Sequence, residues 1–254
     1  MLIVISPAKR LDVSKLNRNI EYSQPEFLEE AKILVNILKK YSPSQLAKKM
    51  KVNAELAQLT ADRFQNWHLP FTDENAKQAL LTFKGDVFNG IDAEKMTMKD
   101  LDFAQQHLRI LSGLYGVLRP LDLIQPYRLE MGTSLKGRGF KSLYDFWRDH
   151  INKFIGQELS NKSKVLINLA SKEYFKVIDD NQLNATVIEP DFREYKNGEY
   201  RFIHVLGKKA RGLMVRYIIN NKISDPEKLK LFNLEGYSYN DRLTEGNKWV
   251  FTRE

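Results

Sequence analysis

The spacing of apolar residues changes half-way along the chain, and this change restricts the fold more than any other feature of the sequence. In the first half, apolar residues recur every three or four positions, as in Phe27, Leu28, Ala31, Leu34 and Leu38. This spacing is typical of an amphipathic helix, and residues able to cap helices precede several such segments. Helices are predicted at residues 25–41, 43–50, 54–67, 73–83, 98–111 and 143–159.

The second half carries the sequence features of β-strands. Strands are predicted at residues 2–5, 164–169, 186–195, 199–206, 236–240 and 248–252, and a helix at 207–221. The strongest local signal is Asn197-Gly198 between two of these strands, because Asn-Gly supplies the positive φ angles of a tight hairpin turn. The sequence therefore predicts one mixed α/β domain over residues 1–254, in which a mainly antiparallel or mixed sheet is flanked by helices.

Composition excludes several classes of site. The chain has 254 residues and no cysteine, which rules out disulfides, thiolate zinc sites, iron–sulfur clusters and a cysteine nucleophile. The four histidines lack metal-ligand spacing. No apolar run reaches the ~18 residues of a membrane span, and the N-terminus lacks the pattern of a secretory signal. We therefore expect a cytoplasmic protein without a metal, cofactor, membrane contact or obligate protein partner.

Positive charge is concentrated in the predicted helix at 207–221. Lys208, Lys209, Arg211 and Arg216 lie in this segment, which contains no acidic residue. Exposed helices usually mix charges, because opposite charges four residues apart stabilise the helix. A purely cationic helix face predicts contact with a polyanion such as nucleic acid. The net charge of +8 agrees with this prediction and is also compatible with solubility alone.

Ser6-Pro7-Ala8-Lys9 directly follows the first predicted strand. A strand that leads into a Ser-Pro cap presents free backbone N–H groups, which suit an anion. Ser-x-x-Lys also has the spacing of a Ser/Lys nucleophile pair, and a plain cap explains the same residues. Lys84-Gly85-Asp86 is a second candidate, since glycine allows close backbone approach; an ion pair at a turn is its alternative.

The densest motif lies at residues 108–120. Gly113 and Gly116 bracket a turn, and Arg109 and Arg119 flank it. We interpret this segment as a helix-hairpin-helix-like element, in which backbone amides at the glycine turn hold a phosphate. The usual motif has Gly-x-Gly, whereas this chain has Gly-x-x-Gly, and a purely structural helical hairpin remains the alternative.

Two further segments supply polar groups. Arg128 and Glu130 belong to a basic, glycine-containing loop that lacks the Lys-Ser/Thr of a phosphate loop, so we expect unspecific contact with a nucleic-acid backbone. Asn168, Ser171 and Tyr174 follow a predicted strand, and the carboxyl end of a strand is a common place for a ligand site. A capped strand-to-helix turn is the alternative for these residues.

Together these motifs resemble the YaaA peroxide stress-resistance family. The resemblance rests on residues 6–9, 83–87, 104–132, 167–174 and 208–212 and covers essentially the whole chain. It implies a bacterial cytosolic protein that helps cells survive hydrogen peroxide, with lowered free intracellular iron. It also implies binding to double-stranded and structured DNA. The family's helix-hairpin-helix element would lie at residues 113–116, and its basic cleft would contain Lys9, Lys84, Arg128 and residues 208–211.

An enzyme that acts on a nucleotide or a nucleic acid is the alternative function. Its catalytic pocket would use polar residues of the same motifs: Lys9, Lys84, Asp86, Arg128, Glu130 and Tyr174. A closed pocket with a perturbed lysine would favour the enzyme, and an open basic groove would favour DNA binding.

Overall fold

The computed structural model describes residues 1–15, 19–162 and 164–254. The α-helices are α1 (Leu28–Leu38), α2 (Pro43–Met50), α3 (Ala54–Asn66), α4 (Ala79–Thr82), α5 (Asp86–Ile91), α6 (Met98–His107), α7 (Leu143–Lys162), α8 (Lys172–Phe175) and α9 (His204–Asn220). The strands are β1 (Leu2–Ile5), β2 (Arg10–Leu11), β3 (Lys77–Gln78), β4 (Phe83–Lys84), β5 (Leu108–Ser112), β6 (Gly116–Leu118), β7 (Leu123–Ile124), β8 (Val165–Leu169), β9 (Thr186–Lys196), β10 (Glu199–Arg201), β11 (Ser238–Tyr239) and β12 (Lys248–Arg253). Short 3-10 helices lie at Ala93–Lys95, Pro226–Leu231, Leu234–Gly236 and Asp241–Leu243.

The central sheet is mixed and has a parallel centre. Its order is β11-β12-β9-β8-β1-β5-β6, with β10 beside β9. The neighbours from β12 to β5 are parallel, whereas β6, β10 and β11 are antiparallel additions at its margins. The mixed α/β class is confirmed, and of the two kinds of sheet expected, mainly antiparallel or mixed, the sheet is the mixed one. Parallel neighbours need long crossovers, and the helices α1 to α6 supply the one between β1 and β5.

Local signals located most helices correctly. Ser42 and Gln45 form a reciprocal capping box at the start of α2, and Asn53 caps α3 by accepting a hydrogen bond from the Leu56 amide. Thr97 and Asp100 form a second capping box, which opens α6. The predicted helix at 73–83 is wrong, because the chain there forms β3, the single turn of α4 and β4.

The predicted helix at 98–111 is wrong in its last turn. It ends at His107, and Leu108–Ser112 forms β5, every residue of which is buried. A strand buried on both faces reads as a continuous apolar run, so spacing alone does not separate it from a buried helix. The sheet decides the outcome, because β5 pairs with β1 on one side and β6 on the other.

The segment predicted to form a helix-hairpin-helix-like element is instead a β-hairpin. Gly113 and Gly116 belong to a tight turn between the antiparallel strands β5 and β6, and all residues from Ser112 to Gly116 are buried. The backbone of Leu129 crosses one side of this turn, and the ring of Trp147 covers the other. The Gly113 carbonyl accepts a hydrogen bond from Trp147 Nε1 at 2.9 Å. The turn amides are enclosed, so Gly113 and Gly116 cannot hold a DNA phosphate.

The two predicted hairpins are confirmed, but the strand predicted at residues 199–206 is shorter, because β10 ends at Arg201 and α9 begins at His204. β9 and β10 are antiparallel, with Tyr195 opposite Tyr200. Asn197 and Gly198 have φ angles of 53° and 87°, as a tight turn of this kind requires. β11 and β12 form the second, shorter hairpin.

Helices α5 and α9 pack closely at glycine. A Cβ on Gly212 of α9 would collide with the carbonyl oxygen of Val87 in α5, and a Cβ on Gly90 would collide with the carbonyl oxygen of Lys209. The two glycines therefore let the helix backbones touch. This contact fixes α9 beside the segment that contains Lys84 and Asp86.

We expect Asp100 to contribute a pH-dependent part of the stability. The Lys222 ammonium and then the Thr97 hydroxyl lower the pKa of Asp100 to about 2. A carboxyl whose pKa is lowered by folding stabilises the protein above its unfolded pKa, and this stability is lost as the pH falls through the folded pKa. Asp100→Asn should therefore cost about 1 kcal/mol above about pH 5, and this difference should fade between about pH 4 and pH 2. Urea unfolding across this range measures it.

The matched control is Asp102→Asn, on the exposed side of the same helix. It should leave the free energy of unfolding at neutral pH within about 0.5 kcal/mol of wild type. A difference for Asp100→Asn that persists unchanged at pH 2 would contradict the role of the Lys222 pair.

Candidate functional site

The candidate site lies at the carboxyl edge of the parallel strands. β1 is the first strand of the chain and lies between β8 and β5, so the direction of strand addition reverses beside it. Such a switch point is where ligands bind in open α/β sheets. Ser6 and Ser171 follow the adjacent strands β1 and β8, and Ser6 Oγ donates a hydrogen bond to Ser171 Oγ at 3.1 Å. The Ser171 amide donates to Ser6 Oγ at 2.8 Å, so the two loops are joined here.

A cluster of charges lies beside this junction. Lys9 Nζ is 2.7 Å from Glu130 Oε2, and Arg128 Nη2 is 3.2 Å from Glu130 Oε1. Lys9 is 62% exposed, whereas the Arg128 side chain is only 12% exposed. Arg128 Nε is buried and has no hydrogen-bond partner among the described residues. A buried donor without an acceptor is costly, so this cluster has capacity for an additional acceptor.

Tyr174 closes the inner side of the cluster. It is buried, and the backbone of Met131 is hydrogen-bonded to its hydroxyl. Burial is the main cause that raises the pKa of Tyr174 far above its usual range, and the charges of Glu173 and Glu130 act in the same direction. Tyr174 is therefore a neutral hydroxyl at physiological pH.

Arg63 belongs to the same cluster, and sequence reasoning missed it. It lies on α3 and is half-buried. Burial lowers its pKa, and the positive charge of Arg128 lowers it further. Two neighbouring guanidinium groups favour an anion between them. No sequence signal marks Arg63, because it is one of many cations on predicted helices.

Lys84 reaches the site through the pairing of β2 with β4. Arg10 and Lys84 are register partners, and a Cβ on Gly85 would lie 3.5 Å from Ala8 Cβ. Lys84 forms ion pairs with Glu94 and with Asp12, the latter at 3.6 Å. The hydrogen bond to Glu94 is the main cause that raises the pKa of Lys84, so this lysine is firmly protonated. It borders a cavity of about 300 Å³ that Asp92 and Glu94 also line.

Helix α9 brings further cations to the same region through its contact with α5. Lys209 Nζ lies 2.6 Å from Glu235, and Arg216 Nη2 lies 2.8 Å from Asp92. Arg211 is half-buried, and burial lowers its pKa. The nearby negative charges of Asp191 and Glu189 act in the opposite direction. Among the described residues, Lys208 and Arg10 have no acid within salt-bridge distance, and both are exposed. The cationic face predicted for this helix is thus partly neutralised by acids from other parts of the chain.

Comparison with known proteins decides the family. A family model described as peroxide stress protein YaaA matches residues 1–243. The chain belongs to the YaaA peroxide stress protein family. It is 49% identical to a UPF0246 protein of Colwellia psychrerythraea over 255 residues, which cover 100% of this chain and 99% of that protein. It is also 49% identical to a UPF0246 protein of Hahella chejuensis, with complete coverage of both chains. The family resemblance of the sequence is confirmed.

The YaaA-family fold brings together only some of the predicted site residues. Ser6, Ser171, Lys9, Arg128 and Glu130 meet at the carboxyl edge, with Tyr174 beside them. Asp86 begins α5, close behind Lys84. Asn168 is engaged by other partners, since its Nδ2 donates to Glu189 on β9 and its Oδ1 accepts from the Ala170 amide.

Arg109 and Arg119 have structural roles in this YaaA-family chain. Arg109 is fully buried and pairs with Glu158 of α7, and its Nη1 donates to two backbone carbonyls. Arg119 Nε lies 3.0 Å from the buried Asp122, and its Nη2 donates to the Gln24 carbonyl. A guanidinium enclosed as Arg109 is cannot reach a phosphate outside the protein. The prediction that Arg109 contacts DNA is therefore wrong, and Arg119 is committed to internal partners.

Residues 1–15, 19–162 and 164–254 contain no cluster of three or more His, Asp or Glu side chains that could hold a metal ion. No helix within them is long and apolar enough to cross a bilayer.

Proposed function

We propose that this YaaA-family protein binds double-stranded or structured DNA in the cytoplasm during the response to hydrogen peroxide. The contact surface is the basic edge, which we define as Lys9, Arg10, Lys84, Arg128, Lys208 and Lys209. The observation that carries the proposal is that cations from four separate segments are linked through neighbouring parts of the fold. Lys9 and Arg128 share Glu130, Arg10 is the register partner of Lys84, and the backbone of Lys209 touches α5, the helix that follows Lys84. Cations gathered from distant parts of the chain produce a positive field that attracts phosphates.

The ion pairs along the basic edge do not oppose this function. Lys9 and Lys209 are 62% and 45% exposed, and ion pairs of such exposed lysines contribute only ~0–1 kcal/mol in water. A DNA phosphate can replace the carboxylate partner of such a lysine at little cost. Within the part of the chain that the structure describes, Arg10 and Lys208 have no such partner to give up.

The proposal also includes the lowered free intracellular iron that the family resemblance implies. It is tested by comparing chelator-accessible iron in peroxide-treated cells that carry the chain and in cells that lack it. Equal iron levels in the two strains would remove this part of the proposal and leave DNA binding untouched.

A salt titration tests DNA binding. Each phosphate contact on a duplex contributes about −0.9 to the slope of log K against log salt concentration. The double variant Arg10→Gln with Lys208→Gln removes two cations without leaving an unpaired acid. It should reduce the magnitude of the slope by up to about two units, and equally on two unrelated duplex sequences.

The matched control is Lys153→Gln with Lys164→Gln, which removes the same charge from exposed positions on α7 and at the amino end of β8. Its slope should equal that of the wild type. Equal slopes for all three proteins would place the basic edge outside the interface. A change on one sequence only would indicate base recognition in place of phosphate contact.

An enzyme acting on a nucleotide or nucleic acid is a second candidate function, and one observation favours it. The buried Tyr174 hydroxyl lies with Arg128, Glu130 and Lys9 beside the Ser6–Ser171 junction, which places proton donors and cations around one point. Incubation of the pure protein with DNA and a panel of nucleotides, followed by mass spectrometry, tests it. Product formed by wild type and not by Tyr174→Phe would support an enzyme, and unchanged substrates would reject it.

A further inference from the structure

The β9–β10 hairpin extends well beyond β8, its neighbour on one side of the sheet. β8 pairs with β9 only as far as Ile188, and β9 continues for eight residues to Lys196. At about 3.3 Å per residue this is roughly 26 Å. On the other side β12 accompanies β9 as far as Glu194, so that only the last two residues of β9 lie beyond both neighbours. β10 then leads directly into α9, which carries Lys208.

The hairpin and the start of α9 expose an unusual set of apolar side chains. Tyr195 is 51% exposed, Phe202 is 40% exposed, and Val205 on the first turn of α9 is also exposed. The rings of Tyr195 and Tyr200 are 5.2 Å apart across the hairpin. Exposed large apolar side chains that lie together mark an interaction surface.

Phe202 is held firmly in this position. Its ring packs against Gly207, where a Cβ would collide with it, and the Arg211 guanidinium lies 5.9 Å from its centroid. The ring of His204 lies 5.2 Å from it, edge-on. The Phe202 ring is therefore preorganised, which lowers the entropy cost of binding.

The charges around these rings are mostly positive. Lys196, Arg201 and Lys208 are exposed, and the exposed acid Glu199 is engaged with Arg201. Aromatic rings between cations are the arrangement that binds unpaired nucleotides, since the rings stack on bases while the cations meet phosphates. A protein partner with an apolar face would not require these exposed cations beside the aromatic side chains.

We propose that Tyr195, Tyr200 and Phe202 form a stacking platform for unpaired bases of structured DNA. This inference rests on the proposed function, because the basic edge would hold the adjoining duplex. The hairpin would then add affinity only where the DNA contains unpaired bases. Stacking needs no particular base, so the preference would be for DNA structure and not for sequence.

The experiment compares a blunt duplex with the same duplex that carries a short bulge of unpaired thymidines. Wild type should bind the bulged duplex more tightly than the blunt one. Tyr195→Ala should weaken binding to the bulged duplex by about tenfold and leave the blunt duplex unchanged. Tyr195→Phe keeps the ring and should behave as wild type. Tyr22→Ala removes a similarly exposed tyrosine (47%) from another part of the chain and should have no effect.

Each outcome separates the two proposals. Equal binding of both duplexes by wild type, or equal losses on both by Tyr195→Ala, would overturn the stacking platform and leave the basic edge intact. Failure of wild type to bind either duplex would overturn the proposed function and this inference together. A change in oligomeric state in Tyr195→Ala would show that a second copy covers these rings, which also overturns the platform.

Discussion

Gly116→Val should destabilise the protein by about 4 kcal/mol, without a separate effect on DNA binding. Gly116 has a φ of +69°, a conformation that costs a β-branched residue about 1–3 kcal/mol. A Cβ at this position would lie 2.7 Å from the ring of Trp147. Trp147 is fully buried and is hydrogen-bonded to Gly113, so it cannot move aside cheaply, and such overpacking adds about 1–3 kcal/mol. Urea unfolding followed by tryptophan fluorescence measures the loss.

Gly139→Val is the matched control for this variant. Gly139 also has a positive φ, +88°, but a Cβ there would meet nothing within 4 Å. It should therefore cost only the backbone strain, about 1–3 kcal/mol. If Gly116→Val kept wild-type stability and lost DNA binding, the turn would hold a phosphate after all, and its enclosure by Trp147 would be wrong.

Gly212→Ala should destabilise the protein by about 3 kcal/mol through the contact between α5 and α9. Its Cβ would collide with a backbone carbonyl, that of Val87, and backbone yields less readily than the end of a side chain. The two helices would have to separate, and overpacking of this kind costs about 1–3 kcal/mol or more. Thermal and urea unfolding both report it.

The control is Gly156→Ala in α7, where a Cβ would meet nothing within 4 Å. Alanine is the better helix former by up to about 1 kcal/mol, so this variant should be more stable than wild type. Replacement of glycine by alanine is thus expected to lower the stability at position 212 and to raise it at position 156. Equal effects of the two variants would mean that α5 and α9 do not touch at Gly212.

Sequence alone determined the features that depend on neighbouring residues. Ser42, Asn53 and Thr97 cap helices because their side chains accept hydrogen bonds from the amides three residues further along the chain. Asn197-Gly198 forms the hairpin turn because these two residues tolerate positive φ. The position of Ser6 directly after a buried strand was also evident, and it placed this residue at the edge where the candidate site lies.

Tertiary structure decided which surfaces remain available to a ligand. Leu108–Ser112 became a strand because β1 and β6 supply hydrogen-bond partners on both sides, and these partners lie far away along the chain or beyond the turn. The same pairing enclosed Arg109 and the glycine turn, whereas Arg63 came to lie beside Arg128 from a separate helix. The charge of the α9 surface was also decided by the tertiary structure. α9 has no acidic residue of its own, but Glu235 and Asp92 from other segments pair with its cations. Electrostatic and packing energies depend on the distance between residues in space, and the separation of two residues along the sequence does not predict that distance.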